Sequence, residues 1–574
     1  MTKARSVVLA LLCAMLCAFS ALGDLNVRAW KSQTDIPTTT DFPEVGLLSA
    51  KPNTAIAFSG GGSRAFSSAM GYLAALRDLD LLKNVRYIGG ISGGAWATMV
   101  YTYQQKGTTD DVFLGEIIQP KHIRYEKLKD MDPACARNLV AQDVVKIGLK
   151  AYKDKTVTTV ADAWAYGVSK VFLEPIGVNP NTRFSWNADS ASDIKSRNPE
   201  LASETILLPA DINRPYPIIG TTFVGPKDGA PYMPKTQNYS LIEISPLYVG
   251  SAKSLDVNFK SIEKPFKKPQ TVRVGGFVEP FGVASAGGAA PATGLPTDAN
   301  SGTLTVPAPK RILDLAQSLA ATSYAPGTLL ESLGIPKLAE GLSMHFDYWS
   351  PTSATPSLDT VMLGDGGSYE NIPLISFLQR RVPKIVLFFM STIPLQPFQD
   401  WNVTSDPQAY EHITDDLAAF FGAIDYKLKR FEDRTYEYEK DQVFALDDFN
   451  RVALGLQTAQ QAGNGIIASF NLTTVQNDWW GIPAGLEVEV TFSYLGRLSQ
   501  WESQLSAEMQ KLLVPADAES AADLSVDVSS GPFKGFPHFP SSAGNMEAEK
   551  ANILADLAGW SVLQHKELFQ RMLA

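Results

Sequence analysis

The chain has 574 residues, 45% of them hydrophobic, so a large core is available and wholesale disorder is excluded. Its formal net charge is -10, which argues against nucleic acid and against electrostatic capture by anionic lipid heads, though not against hydrophobic insertion. Only the first twenty or so residues form a long apolar run, which excludes a multi-span membrane protein.

Lys3 and Arg5 precede an uncharged run from Val7 to Ser20, and Ala21-Leu22-Gly23 supplies small residues before Asp24. This pattern predicts a cleaved secretory signal over residues 1–23, because a membrane span needs about 20 apolar residues. The expected location is therefore secreted, or an endomembrane or lysosomal lumen. Two of the three cysteines, Cys13 and Cys17, would leave with the signal, so Cys135 has no partner for a disulfide. Residues 24–50 read as a polar leader.

From Thr54 the pattern is alternating. Thr54–Phe58 is a short apolar strand ending in Ser59-Gly60-Gly61-Gly62, and Ala65 to Leu82 has helical spacing. Val85–Ile88 is a second strand ending in Gly89-Gly90, and a helix follows from Ala95. This βαβα order implies a parallel sheet. Residues of about 100–360 are expected to hold an inserted lid region, with the Gly-, Ala-, Pro- and Ser-rich stretch from Gly275 to Pro309 as a mobile loop. The alternation resumes at Val361–Leu363, followed by Gly364-Asp365-Gly366-Gly367, a helix from Asn371 to Arg381 and a buried strand from Lys384 to Met390. Tyr410 to Leu446 reads as charged helix. Met546 to Leu573 sets Ile553, Leu557, Trp560 and Leu563 on one face and is predicted to be a docked core helix.

Three glycine-marked turns carry the chemistry. Gly90-Ile91-Ser92-Gly93-Gly94 matches G-x-S-x-G at a strand-to-helix turn, where flanking glycines make room for a sharp backbone and the serine is exposed as a nucleophile. Gly60, Gly61 and Gly62 leave backbone N–H groups unshielded, which suits an oxyanion hole. The run Gly60 to Ala65 also fits a dinucleotide fingerprint, but that reading needs an acidic residue after the next strand, where the chain has Gly89-Gly90 and then Ser92. Arg64 opens a helix where a cation meets an unfavourable dipole, so it is expected either to contact a ligand phosphate or to form a structural salt bridge. Asp365 stands as a base toward Ser92 or as a turn residue.

Taken together, SGGGSRA, GISGG and DGGSYENIP resemble the catalytic domain of cytosolic phospholipase A2 and its lysophospholipase and patatin relatives. The resemblance implies an α/β, three-layer sandwich with a largely parallel central sheet, filling residues 51–574 as a single catalytic domain. It implies a serine lipid acyl hydrolase acting on phospholipid membranes or micelles. Ser92 and Asp365 would be a catalytic dyad, Gly60, Gly61 and Gly62 the oxyanion hole, and Arg64 the phosphate contact. Asn371 and Pro373 fall on an Asn-x-Pro of the family, with weaker likeness at Glu243–Pro246 and Gly275–Phe277, and Arg380 or Arg381 as a second arginine. No metal, cofactor, nucleic acid or protein partner is implied, and calcium is not expected to be required. The rival readings are an α/β-hydrolase with a Ser-Asp-His triad, drawing on His412, His538 or His565, and a catalytically silent lipid-binding protein of the same fold.

Overall fold

The computed structural model describes residues 23–33, 35–227, 239–259, 270–324, 344–405, 412–423, 440–513, 525–540 and 545–574. The stretch read as a secretory signal thus lies outside the described residues, except for Gly23. The strands that matter for the site are, in chain order, β1 (Asp24–Trp30), β2 (Thr54–Phe58), β3 (Tyr87–Gly90), β4 (Tyr216–Pro226), β5 (Ser240–Ile244), β6 (Val249–Phe259), β7 (Gln270–Val278) and β8 (Ser301–Pro307). They are followed by β9 (Met344–Tyr348), β10 (Asp359–Gly364), β11 (Lys384–Phe389), β12 (Ile466–Thr473) and β13 (Glu487–Tyr494). The helices are α1 (Gly62–Asp78), α2 (Gly93–Tyr103), α3 (Val144–Lys153), α4 (Val160–Val168), α5 (Leu315–Thr322), α6 (Leu374–Gln379), α7 (Leu446–Ala462) and α8 (Ala548–Gln564).

All thirteen strands join one sheet in the order β8-β1-β7-β6-β5-β4-β3-β2-β11-β13-β12, with β10 beside β4 and β9 beside β10. The centre, β13-β11-β2-β3-β4, is parallel, and the flanks are antiparallel. β2 and β3 are buried along their whole length, as expected where helices cover both faces. Tyr72 of α1 stacks on Phe388 of β11 with 4.2 Å between ring centroids, so α1 lies on that face. A Cβ on Gly89 would lie 2.6 Å from Pro373 and 2.7 Å from Phe377, which puts α6 on the opposite face. Helix, sheet and helix make the three layers that the resemblance implied.

α8 packs on α1 at a crossing so close that a Cβ on Gly71 would lie 2.1 Å from the Ala555 carbonyl oxygen. Ile553, Leu557 and Trp560 are buried there, so the helix is part of the core. Among the described residues no helix is long and apolar enough to cross a membrane. Cys135 is buried and free.

Four expectations are revised. The polar leader begins with β1, which pairs antiparallel with β8 from Asp24↔Pro307 to Trp30↔Ser301. The Gly275–Pro309 stretch is therefore not a mobile loop: it holds the end of β7 and all of β8, and its Leu304 and Val306 are buried with Leu25, Val27 and Ala29 of β1. Of the charged helix expected over Tyr410–Leu446, the described residues hold a short helix over Asp415–Ala419, and α7 begins at Leu446; residues 406–411 and 424–439 lie outside the described residues. The strand before Asp365, expected to rejoin the parallel sheet, runs antiparallel to β4.

Candidate active site

β4 is long enough to seat two strands on one edge. Its first half pairs with β3, up to Gly90↔Ile219, and its second half pairs with β10, down to Gly364↔Thr222. β3 and β10 thus point at each other along the same edge, and the chain must turn out of the sheet where they meet. Ser92 follows β3 and Asp365 follows β10, so the two turns face each other. A β-bulge between Met362 and Leu363 leaves Val224 of β4 without a partner and sets the final register.

Ser92 sits at φ 50°, ψ -119°, as N-cap of α2. This left-handed backbone is costly for a residue with a side chain and is typical of strained functional turns. Its Oγ donates to Asp365 Oδ2 at 3.0 Å. Asp365 Oδ1 accepts the Gly367 N–H at 2.9 Å, and the Asp365 and Gly364 carbonyls accept from the Thr222 and Thr221 hydroxyls. The carboxyl group is thereby held in one orientation, with its Oδ2 toward Ser92. Gly93 is required by packing: a Cβ there would lie 2.2 Å from the Gly62 carbonyl oxygen. The glycine turn and the serine turn are in contact.

The three glycines divide their roles. Gly60 N–H donates to the Asn371 carbonyl at 2.9 Å, so it is not an oxyanion donor, contrary to expectation. Gly60 is needed because a Cβ would lie 2.3 Å from Asn371 Oδ1 and 3.3 Å from Ser92 Cβ. Gly61 and Gly62, at φ 134° and 56°, are the N-cap and first residue of α1 and are partly exposed. Their N–H groups have no acceptor within their own helix. The N-termini of α1 and α2 both converge on Ser92, where their dipoles favour negative charge.

Arg64 is the second correction. It is 3% exposed, donating through Nε to the Met390 carbonyl at 3.0 Å and through Nη1 to the Phe539 carbonyl at 2.6 Å. Burial lowers its pKa to about 10, opposed by Asp527 and Asp416, and it stays charged at neutral pH. It braces the glycine turn against the end of β11 and the Phe539 segment, since two of its three nitrogens are already held by carbonyls.

Arg380 is also structural. It is buried, with Nε on Glu44 at 2.8 Å and Nη1 and Nη2 on Glu243 at 2.8 and 2.6 Å, and Tyr248 adds a further contact. Asn371 Nδ2 donates to Asp416 at 2.8 Å, which fixes the loop behind Gly60. Glu370 Oε1 accepts the Ile375 N–H at 2.6 Å, and burial followed by repulsion from Asp441 pushes its carboxyl well above the usual range.

Two site residues were not found in the sequence. Thr322, at the end of α5, accepts the Ser92 N–H at 3.2 Å and donates to the Gly220 carbonyl. Ser59 accepts the Met390 N–H at 2.8 Å and ties the glycine turn to β11. The Ser-Gly-Gly-Gly run marks Ser59, but no local signal marks Thr322. The histidines that follow Asp365 are engaged elsewhere. His538 lies against Asp527 at 2.6 Å and the Leu495 carbonyl at 3.0 Å, His565 against the Ser561 carbonyl at 2.9 Å, and His412 stacks on Trp401.

Residues 56–131, which contain both glycine turns, match the family model of patatin-like phospholipases. Human cytosolic phospholipase A2 zeta is 51% identical over 45 residues, 8% of this chain. Human cytosolic phospholipase A2 delta is 34% identical over 126 residues, 22% of this chain. These alignments span only 5% and 14% of the two relatives' lengths. The solved structure of human GIVD cytosolic phospholipase A2 superposes on 93% of this chain and 61% of its own, with 16% identity and a TM-score of 0.45.

Proposed function

We propose that this chain hydrolyses acyl esters of glycerophospholipids or lysophospholipids through a Ser92–Asp365 dyad. The observation that carries the reading is the 3.0 Å hydrogen bond from a strained Ser92 to Asp365. In the proposed cycle Ser92 Oγ attacks the ester carbonyl carbon while Asp365 Oδ2 takes its proton. The carbonyl oxygen becomes an oxyanion facing the Gly61 and Gly62 N–H groups, and losing one such donor raises a barrier by about 2.7–4 kcal/mol. Collapse breaks the C–O bond, and the leaving alcohol takes the proton from Asp365. Water then attacks the acyl-serine, giving its proton to Asp365, and Ser92 takes that proton back and leaves as the free hydroxyl when the fatty acid departs.

The patatin-like match over residues 56–131 supports this choice of ester. Against a Ser-Asp-His triad stand the separate partners of His412, His538 and His565. The reading extends to a phospholipid membrane or micelle as substrate and to a secreted or luminal location, which the apolar run from Val7 to Ser20 supports. N-terminal sequencing of the mature protein should begin at Asp24.

The deciding experiment is reaction with a fluorophosphonate probe, followed by peptide mapping. A covalent adduct on Ser92 is the expected result. No adduct in the folded protein would favour the lipid-binding alternative instead.

A further inference from the structure

We infer that α3 docks the protein on an anionic lipid surface. α3 and α4 form a tight hairpin: a Cβ on Gly148 would lie 2.3 Å from the Ala163 carbonyl oxygen, and one on Gly167 would lie 2.3 Å from that of Val144. At about 100° per residue, Val144, Gly148 and Ala151 share the inward face, and all three are buried. Roughly a quarter turn onward, Val145, Leu149 and Tyr152 form an apolar stripe that is 41%, 46% and 43% exposed. A similar rotation further brings Lys146, Lys150 and Lys153, all exposed, with Lys155 just beyond the helix. Against these four lysines stand two carboxylates, Asp143 at the N-cap and Asp154 paired with Lys150 at 2.8 Å. The patch is positive on a chain whose net charge is -10.

The order around the helix identifies the occupant. An apolar stripe flanked on one side by lysines matches the boundary between acyl chains and anionic head groups: the stripe enters the apolar layer while the lysines stay level with the phosphates. A two-fold contact with a second copy would bring the same lysines together and so is disfavoured. The hairpin is also mechanically close to the nucleophile. Trp164 of α4 donates to Ser323 Oγ at 3.2 Å, and its ring lies 6.3 Å from that of Trp96, near the start of α2. Ser323 directly follows Thr322, the acceptor of the Ser92 N–H.

The lipid class rests on the hydrolase reading, but the test does not depend on catalysis. The chain from Asp24 to Ala574 carrying Ser92→Ala is floated with phosphatidylcholine vesicles, pure or containing about one third phosphatidylserine. It is expected to bind the anionic vesicles, and to bind them at least about tenfold more weakly at high salt. The triple variants Val145→Ser/Leu149→Ser/Tyr152→Ser and Lys146→Glu/Lys150→Glu/Lys153→Glu should each weaken binding by about tenfold or more at an unchanged melting temperature, the lysine variant also losing its preference for phosphatidylserine. No binding to either vesicle, or undiminished binding by both variants, would overturn the inference. A dimer in sedimentation that the stripe variant dissolves would also overturn it, assigning the face to a second copy. Docking, together with no fluorophosphonate adduct on the parent chain with Ser92 intact, would sink the hydrolase reading and leave this one standing.

Discussion

The two sides of the candidate active site are built by different means. On the serine side, β2, α1, β3 and α2 follow one another directly, and backbone pieces approach so closely that only glycine fits. The charge buried there, Arg64, is held by neutral carbonyls. On the aspartate side, β4, β10 and the loop after Asp365 come from separated parts of the chain. The charge buried there, Arg380, is held by two carboxylates, one from residue 44 and one from residue 243. The serine side depends on shape and the aspartate side on long-range charge pairing, and substitutions should distinguish them.

The largest effect should be common to both sides. Ser92→Ala and Asp365→Asn are each expected to lower kcat by about 10⁴-fold with little change in melting temperature, since each removes a group that gives or takes the proton in the proposed cycle. Single alanine changes at His412, His538 and His565 should keep most of the activity of the folded protein. A histidine change as damaging as Ser92→Ala would restore the triad. Next is Arg380→Met, which leaves Glu44 and Glu243 buried without their counter-charge. A loss of about 3–5 kcal/mol in urea unfolding is expected.

Arg64→Ala should remove charged hydrogen bonds to carbonyls, costing about 1.5–3 kcal/mol. As a brace it should slow hydrolysis of a phospholipid and of a neutral ester equally; a selective loss on the phospholipid would return it to the phosphate. Thr322→Val keeps the shape of the side chain while removing the acceptor for Ser92 N–H, and roughly tenfold lower kcat at unchanged KM is expected from a nucleophile less well held.

The smallest effect concerns acid. Burial, followed by repulsion from Lys227, lowers His345 of β9 from 6.5 to about 4. Between those values the unfolded chain binds the extra proton, so this contribution to stability is present above pH 6.5 and lost as pH falls through 4. Urea unfolding of His345→Leu between pH 7 and 4 should show a shallower decline than that of the parent.

The same contrast explains what the sequence revealed. SGGGSRA and GISGG are legible because a close backbone approach needs glycine at fixed local spacing. KIVLFFM is legible because a strand buried on both faces is continuously apolar. The bracing contacts of Arg64 were not legible because its partners are backbone carbonyls more than three hundred residues away, which no side-chain pattern announces. β1 and β8 were hidden by composition, although Leu25, Val27 and Ala29, and then Leu304 and Val306, alternate with polar residues as half-buried strands do. Thr322 left no trace, because its role exists only once α5 has packed beside β4.

The shared edge of β4 has a consequence for how the protein tolerates change. Ser92 and Asp365 are 273 positions apart in the chain, yet β4 is the gauge that spaces them. Ile219 marks where one neighbour ends and Thr222 where the other does, about 10 Å apart at ~3.3 Å per residue. Lengthening the excursions between these strands should alter what surrounds the dyad while leaving its spacing intact. Deleting Val224 alone should remove the bulge while Leu363 stays opposite Phe223 and Gly364 opposite Thr222, so the spacing of the pair and its fluorophosphonate labelling should survive.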